Sequence, residues 1–204
     1  MGPARLVLAT TNRHKAREIA AILAPFGLDV EVPATLPPVV EDGATFAENA
    51  YLKAASAARA TGRAAVADDS GIVVAALGGA PGVHSARYAG DDATDEANTA
   101  KLLAEVARRH LVDPAAAFVC HAVAVAPDGA VLARVEARVE GVVRGPPQGR
   151  HGFGYDPVFH HVSERHPAPG VRFADLAPAE KDAISHRGQA FRALAAALVA
   201  AGRP

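Results

Sequence analysis

The stretch Phe118-Val119-Cys120-His121-Ala122-Val123-Ala124-Val125, which is followed by Pro127-Asp128-Gly129 and then by residues 131–139, decides the fold class. Both flanking runs alternate partly in polarity, which is the pattern of a β-hairpin with one wetter face. Strands and helices interleave elsewhere, but a hairpin breaks a strict strand-helix-strand rhythm. We therefore expect an α/β protein with a mixed sheet, in which a long antiparallel hairpin is flanked by helices, and two lobes around a central cleft.

The segments on the N-terminal side of the hairpin predict strands and helices in turn. Residues 5–9 read as a short buried strand, and the spacing of Ile19, Ile22, Leu23 and Phe26 predicts a helix that ends at Gly27. Further elements are expected in four places: a helix from the capping box Thr45-Phe46-Ala47-Glu48 to about residue 61, a strand at 64–67, an apolar β-branched segment at 72–77, and a helix from Thr94 to residue 109.

The segments on the C-terminal side are less regular. Residues 141–154 are rich in loop formers, and residues 157–161 are a possible strand. Ser185 precedes a last helix with the apolar stripe Phe191, Leu194 and Leu198. No segment has the composition of a linker, so we expect a single domain over residues 1–204.

Composition excludes several classes of protein. The chain has 204 residues, 50% of them hydrophobic, so it can bury a full-sized core. Its formal net charge of −1 gives no general attraction for nucleic acid. The longest apolar stretch, residues 193–201, is too short for a membrane span, and residues 1–9 do not resemble a signal peptide. A lone Cys120 in an apolar run fits a buried thiol and a reducing, intracellular compartment.

A basic segment lies between the first predicted strand and the first helix. Thr10-Thr11-Asn12-Arg13-His14-Lys15 combines three potentially cationic side chains with hydroxyl and amide groups. Cations in a first helical turn oppose the helix dipole, which favours anions there. The segment is therefore either a phosphate cradle or a solvated basic turn, and spacing alone leaves both open.

Two acidic residues close the predicted strand at 64–67. Because successive side chains on a strand point to opposite faces, only one of Asp68 and Asp69 can enter a given cleft. A carboxylate beside Ser70-Gly71 suits Mg²⁺ or could take a proton from an attacking water, although both aspartates could equally shape a turn. Glu41 and Asp42 pose the same choice, with a surface loop as the default.

The helix after Thr45 carries polar groups with competing interpretations. Glu48 is expected to act mainly as the partner of Thr45 in the capping box. Asn49 and Lys53 lie one turn apart on the same face, so they could project together, although a solvated face is common.

Aromatic and donor groups cluster near the C-terminus. Gly152-Phe153-Gly154-Tyr155-Asp156-Pro157 could stack rings on a flat base or could complete a core. Donor side chains gather where the last helix begins: Lys181, Ser185, His186 and Arg187. The spacing of His160, His161 and His166 matches no zinc pattern, and loop histidines are expected there.

Several of these motifs, taken in order, resemble the inosine triphosphate pyrophosphatase family, also called the Ham1 family. The resemblance covers nearly the whole chain, with His151 standing where the family commonly has a glycine. The matching segments are residues 10–15, Thr45-Phe46-Ala47-Glu48-Asn49-Ala50, Ala67-Asp68-Asp69-Ser70-Gly71, residues 78–88, Phe153-Gly154-Tyr155-Asp156 and Ser185-His186-Arg187.

The resemblance implies an enzyme and assigns roles to individual residues. It implies Mg²⁺-dependent hydrolysis of ITP, dITP and XTP to the monophosphate and pyrophosphate, by a cytoplasmic homodimer that clears damaged nucleotides. Asp69 resembles the general base and a metal ligand, and Glu41 the second metal ligand. The residues that resemble triphosphate contacts are Thr10, Thr11, Asn12, Arg13, His14, Lys15 and Lys53, and Ser70 resembles a further substrate contact. Phe153 resembles the ring that stacks on the base, and Gly154, Tyr155 and Asp156 lie beside it in the motif. The residues that resemble contacts to the base edge are Lys181, Ser185, His186 and Arg187.

The donor groups give this assignment a physical reason. A 6-oxo purine offers an acceptor where adenine offers a donor, so ATP would leave buried donors unpaired. Two other functions fit parts of the pattern: a non-enzymatic nucleotide sensor, which would share the cradle and the base pocket, and a metal-dependent sugar-phosphate phosphatase, which would need only the acids.

Overall fold

The computed structural model describes residues 4–162 and 170–202. The strands are β1 (Ala4–Leu8), β2 (Leu28–Glu31), β3 (Ala65–Val74), β4 (Ala115–Val125), β5 (Val131–Val143) and β6 (Phe159–His161). The helices are α1 (Arg13–Leu23), α2 (Phe46–Thr61), α3 (Asp95–Arg108), α4 (Pro178–Ile184) and α5 (His186–Ala200). No helix within these two ranges is long and apolar enough to span a membrane.

The strands form one mixed sheet in the order β2-β1-β3-β4-β5-β6. β1 pairs in parallel with both β2 and β3, whereas β5 and β6 are antiparallel. The turn between β4 and β5 is closed by the amide of Ala126, which donates to the carbonyl oxygen of Ala130 at 2.9 Å. The prediction of a mixed sheet with a long hairpin is therefore confirmed.

The chain divides into two compact units. The first draws on the described parts of Met1–Asp69, Cys120–Ala137 and Arg187–Pro204, and the second on Ser70–Val119 and Arg138–His186. β3, β4 and β5 each contribute residues to both units. The predicted cleft between two lobes stays a prediction.

The first unit has apolar clusters on both faces of its strands. On one face, Leu6 and Leu8 of β1 pack with Ile19 of α1 and with Phe191 and Leu194 of α5. On the other, the alternate β1 residue Val7 packs with small side chains of α2, including Ala50, Ala54 and Ala58. Cys120 belongs to the first of these clusters and is fully buried, as its apolar run predicted.

The second unit is built around aromatic rings. Phe118 of β4 lies 4.5 Å from Phe159 of β6 and 5.8 Å from Phe173, measured between ring centroids. The ring of His186 stacks on Phe118 at 4.7 Å with planes inclined by 7°. These contacts fix the beginning of α5 against this core.

The predicted end of the strand at residues 64–67, which is β3 in the structure, was wrong. Asp68 and Asp69 lie inside β3, which continues to Val74, instead of closing a strand at residue 67. Gly71 is needed for a close approach and not for a turn, because an added Cβ there would lie 2.2 Å from Oγ of Ser85. That hydroxyl accepts from the amide of Ile72 at 3.0 Å. The polar residues thus find partners that let the strand continue.

Three other features differ from the sequence expectations. β2 and α4 were not foreseen, because a four-residue strand and a seven-residue helix are too short to show a period. His160 and His161 are buried in β6 and are not loop residues. His166 lies outside the described residues.

Candidate functional site

The first turn of α1 is a capped, basic helix start in the first unit. Asn12 is the N-cap, and its Oδ1 accepts from the amides of His14 at 2.9 Å and Lys15 at 3.1 Å. The amide of Asn12 in turn donates to Oγ1 of Thr10. Thr11, Asn12, Arg13 and His14 are exposed, and the turn contains no acidic residue. The exposed start of the helix therefore carries basic side chains at the positive end of the helix dipole, which favours an anion.

Asp68 ties this helix to the start of α5. It is 3% exposed, and its Oδ2 lies 3.1 Å from Nζ of Lys15 and 3.4 Å from Nη2 of Arg187. Arg187 also donates from Nη1 to Oε2 of Glu18 at 2.7 Å. Asp68 therefore holds two cations in place within the first unit.

One of the four expected donors, Arg187, has its partners in the first unit. Arg187 pairs with Asp68 and Glu18 in the first unit, whereas Lys181, Ser185 and His186 belong to the second. Sequence reasoning missed Glu18, which lies three residues after Lys15 on the same helical face. That spacing was the only available signal, because its partner is 169 residues away.

Asp69 faces α2 and belongs to a carboxylate–lysine cluster, which we define as Glu41, Asn49, Lys53 and Asp69. Nζ of Lys53 lies 3.0 Å from Oδ1 of Asp69 and 2.9 Å from Oε2 of Glu41. The side-chain amide of Asn49 donates to Oδ2 of Asp69 at 3.3 Å. The alternation predicted for the two aspartates is confirmed. Asn49 and Lys53 both contact Asp69, whereas the sequence left this arrangement open beside a solvated helix face.

The loop before α2 delivers Glu41 to this cluster. The amide of Gly43 donates to Oδ1 of Asn49 at 2.9 Å, which anchors the loop on the helix. Thr45 and Glu48 form the predicted capping box that begins α2. Asp42 is exposed, whereas Glu41 reaches Lys53. Of the two acids left open by the sequence, Glu41 is the one beside Asp69.

Burial decides the direction in which the pKa of Asp69 moves, whereas nearby charges decide it for Lys53. Desolvation raises the pKa of Asp69 above its ordinary value, and this effect outweighs the attraction of Lys53. Burial alone would lower the pKa of Lys53, but the nearby charges of Asp69, Asp68 and Glu41 raise it. Asp69 is therefore a carboxylate that takes up a proton more readily than a solvated aspartate does, as a general base must.

The donor set fits Mg²⁺ better than a transition metal. In the ranges that the structure describes, no group of three or more His, Cys, Asp or Glu side chains could hold a metal ion. Mg²⁺ needs only one or two carboxylates, because water and phosphate oxygens complete its shell. Glu41 and Asp69, which already share the ammonium of Lys53, are such a pair.

In the second unit, Phe153 and Asp156 form a tight turn over Lys181. Oδ2 of Asp156 accepts from the amide of Phe153 at 2.9 Å and from Nζ of Lys181 at 2.6 Å. The same ammonium lies 4.7 Å from the centre of the half-buried Phe153 ring. Gly152 permits the turn, since an added Cβ would lie 2.2 Å from Oδ2 of Asp156. The ring is thus fixed by a buried ion pair.

The neighbours of Phe153 are engaged within the second unit. The hydroxyl of Tyr155 donates to the carbonyl oxygen of Ser85 at 2.8 Å, and the amide of Gly154 donates to Asp95 at 2.7 Å. Ser185 is buried, and Ser70 is half-buried in β3. The side chains of Tyr155 and Asp156 therefore support the turn from within the core.

Comparison with known proteins gives consistent results. The Ham1 family profile matches residues 6–197. The dITP/XTP pyrophosphatase of Syntrophobacter fumaroxidans is 50% identical over 193 residues, which are 93% of this chain and 80% of that relative. The dITP/XTP pyrophosphatase of Geobacillus kaustophilus is 50% identical over 192 residues, 93% of this chain and 91% of the relative.

Solved structures of Ham1 proteins have a similar fold. The chain is similar to a Ham1 protein from Coxiella burnetii, with a TM-score of 0.82 at 38% identity, covering 97% of this chain and 99% of that one. It is also similar to the Staphylococcus aureus Ham1 protein, with a TM-score of 0.80 at 36% identity and the same coverage. The chain therefore belongs to the Ham1 family.

Proposed function

We propose that this protein hydrolyses purine nucleoside triphosphates that carry the wrong base, namely dITP, ITP and XTP, to the monophosphate and pyrophosphate. The observation that carries the proposal is the pair of carboxylates, Glu41 and Asp69, held by one ammonium at 2.9 and 3.0 Å. Relatives that share 50% of their sequence with this protein are named dITP/XTP pyrophosphatases, which supports the same substrate class.

The reaction needs one proton acceptor and one bond cleavage. Water adds to a phosphorus of the anhydride between the α- and β-phosphates, that anhydride breaks, and the water proton passes to the carboxylate of Asp69. A raised pKa suits Asp69 to this role, because the proton that it accepts is then held more firmly. Asn49 and Lys53 orient the carboxylate by occupying one oxygen each.

Glu41 and Asp69 are the proposed ligands of Mg²⁺. When bound, Mg²⁺ would neutralise phosphate charge and orient the triphosphate. Lys53 is a triphosphate contact in this proposal, since its ammonium already lies among the acids that would approach the phosphates. Ser70, which follows Asp69 in the chain, is a further proposed substrate contact.

The start of α1 is the proposed cradle for the remaining phosphates. Thr10 and Asn12 order the turn by accepting from its amides, and Thr11, Arg13, His14 and Lys15 add side-chain donors and charge. Lys15 is kept close to its place by Asp68. The base is proposed to stack on Phe153, with Gly154, Tyr155 and Asp156 shaping the turn below it. The base edge would be contacted by Lys181, Ser185, His186 and Arg187.

Several properties of the whole protein belong to the same proposal. Residues 1–204 would act as one catalytic domain, as a homodimer, in the cytoplasm, where they would remove damaged nucleotides before polymerases use them. Light scattering on the purified protein tests the dimer, because a mass near one chain would contradict it.

Product analysis tests the reaction class. The protein is incubated with ITP, dITP, XTP or ATP and Mg²⁺, and the products are separated by ion-exchange chromatography. We expect pyrophosphate and the monophosphate from the first three and little turnover of ATP. Release of single phosphate would indicate a phosphatase instead, and binding without turnover would indicate a sensor.

A further inference from the structure

A polar pocket lies in the second unit, and none of its lining residues is assigned a role in the proposed hydrolysis. Its volume is about 500 Å³, within the range of small-molecule sites. Two arginines but only one acidic residue line it, which leaves an excess of positive charge. The lining residues are Gln148, Gly149, Arg150, His151, Arg172, Ala174 and Asp175.

The wall that carries Arg150 and His151 is fixed by the backbone. The amides of Arg150 and His151 both donate to the carbonyl oxygen of Ala174, at 2.9 and 3.0 Å. Gly149 has a φ of +112°, and an added Cβ would lie 2.3 Å from Cβ of Ala174. Only glycine allows this approach, so the two cationic side chains start from a rigid segment.

Arg172 is held from three sides. Its Nε donates to Nε2 of His160 at 3.3 Å, its Nη2 donates to Oε1 of Gln148 at 3.2 Å, and its Nη1 lies 3.5 Å from Oδ2 of Asp175. Nδ1 of His160 lies 3.1 Å from the carbonyl oxygen of Gly170, to which it must donate, leaving Nε2 as the acceptor that Arg172 needs.

This arrangement leaves donors for a ligand. A guanidinium has five N–H groups, and three contacts do not exhaust those of Arg172. The side chains of Arg150 and His151 have no hydrogen bond or ion pair with any other residue in the described ranges, and both line the pocket. A planar fork held in place beside a second, available arginine matches the oxygens of a phosphate group.

We propose that the pocket of Gln148, Arg150, His151 and Arg172 binds a small molecule that carries a phosphate or diphosphate group. Arg172 is the preorganised anchor, Arg150 and His151 close on the exposed oxygens, and Gln148 keeps the anchor in orientation. The proposal holds whether or not the protein hydrolyses nucleotides, because none of these residues takes part in that reaction.

Amide chemical shifts of the ¹⁵N-labelled protein, without Mg²⁺, test the proposal with inorganic pyrophosphate as the probe. We expect the amides of Gly149, Arg150 and His151 to shift and saturate. Arg150→Ala should weaken this binding about tenfold, the effect of one charge-assisted hydrogen bond. Arg172→Gln should weaken it similarly. Arg138→Ala, which removes an exposed arginine of the same unit that pairs with Glu140, should change it less than about twofold.

Two results would overturn the proposal. One is the absence of saturating shifts at residues 149–151 at millimolar pyrophosphate, and the other is equal weakening by Arg150→Ala and Arg138→Ala. Lys15→Ala distinguishes this pocket from the proposed phosphate cradle of α1. It should reduce the shifts that pyrophosphate causes at residues 10–15 and leave those at residues 149–151 unchanged. A parallel titration with ADP identifies the source of the phosphate: tighter binding than pyrophosphate indicates a nucleotide, and weaker binding a free phosphate compound.

Discussion

Nζ of Lys53 lies 3.0 Å from Oδ1 of Asp69, and neither side chain is more than 16% exposed. When one partner of a buried carboxylate–ammonium pair is removed, the other is left as an uncompensated buried charge, which destabilises the folded state. The proposed base therefore depends on a residue of α2 that the proposal also assigns to the substrate.

Replacing Lys53 with methionine should unmask this dependence. Lys53→Met leaves Asp69 and Glu41 without the cation that they share, so the free energy of unfolding should fall by about 3 kcal/mol. If the two acids bind Mg²⁺, the ion should restore part of that loss. Urea unfolding with and without Mg²⁺ measures both effects.

Lys101→Met is the matched control for this variant. Lys101 is an exposed lysine whose contacts are with Tyr88, so its loss should cost little and Mg²⁺ should not compensate it. Equal losses in the two variants, or the same response to Mg²⁺, would contradict the proposed role of the pair.

The pH dependence of stability should report the raised pKa of Asp69. Burial raises that pKa, so the folded state binds the proton more tightly than the unfolded state does. The stabilisation is complete below the unfolded pKa, about 3.9, and is lost as the pH rises through the folded pKa. Asp69→Asn has no such proton.

We therefore expect Asp69→Asn to gain stability relative to the unmodified protein as the pH rises from about 4, in EDTA. Thermal unfolding at a series of pH values measures the difference. The variant should also lose turnover of ITP while still binding it. A stability difference that does not vary with pH, or that changes in the opposite direction, would show that burial does not control this carboxylate.

Cys120 should be inert in the folded protein. Burial, and then the charge of Asp68, raises the pKa of its thiol, and Sγ lies 3.9 Å from Oδ2 of Asp68. A disulfide reagent at pH 8 should therefore find no thiol until denaturant is added, after which it should find one per chain. As a control, Val112→Cys in a Cys120→Ala background should react at once, because Val112 is 89% exposed. Rapid reaction of native Cys120 would mean that β4 opens readily.

Local sequence signals predict some elements of this fold and not others. Apolar spacing predicted α1, the capping box at Thr45 predicted the start of α2, and turn residues predicted the hairpin, because these signals act locally. The same local rules ended the strand at residue 67, before Asp68-Asp69-Ser70-Gly71, whereas β3 continues to Val74. Lys15 and Lys53 pair with the two aspartates and Ser85 packs on Gly71, and these partners lie 14 to 53 residues away in the sequence.

The site shows the same limit. Alternation along the strand correctly predicted different partners for Asp68 and Asp69. Helical spacing allowed Asn49 and Lys53 to reach the same partner but did not decide it, because a solvated face has the same spacing. The pairing of Arg187 with Asp68 and Glu18 could not be foreseen, because these partners lie 119 and 169 residues away in the sequence. Long-range ion pairs leave no period in a sequence.

The pair of Lys181 and Asp156 should behave as one unit in stability measurements. Its atoms are 2.6 Å apart, and the side chains are 4% and 3% exposed. Lys181→Met strands a buried carboxylate and should cost about 3–5 kcal/mol, whereas the double variant with Asp156→Asn should recover part of this. Asparagine at 156 still offers an oxygen to the amide of Phe153, so the turn below the ring should survive.

A double-mutant cycle by urea unfolding measures the coupling between these two residues. The exposed pair of Arg138 and Glu140 gives the comparison, and its cycle should yield less than about 1 kcal/mol. If Lys181 and Asp156 instead prove additive, the ion pair does not fix the Phe153 turn.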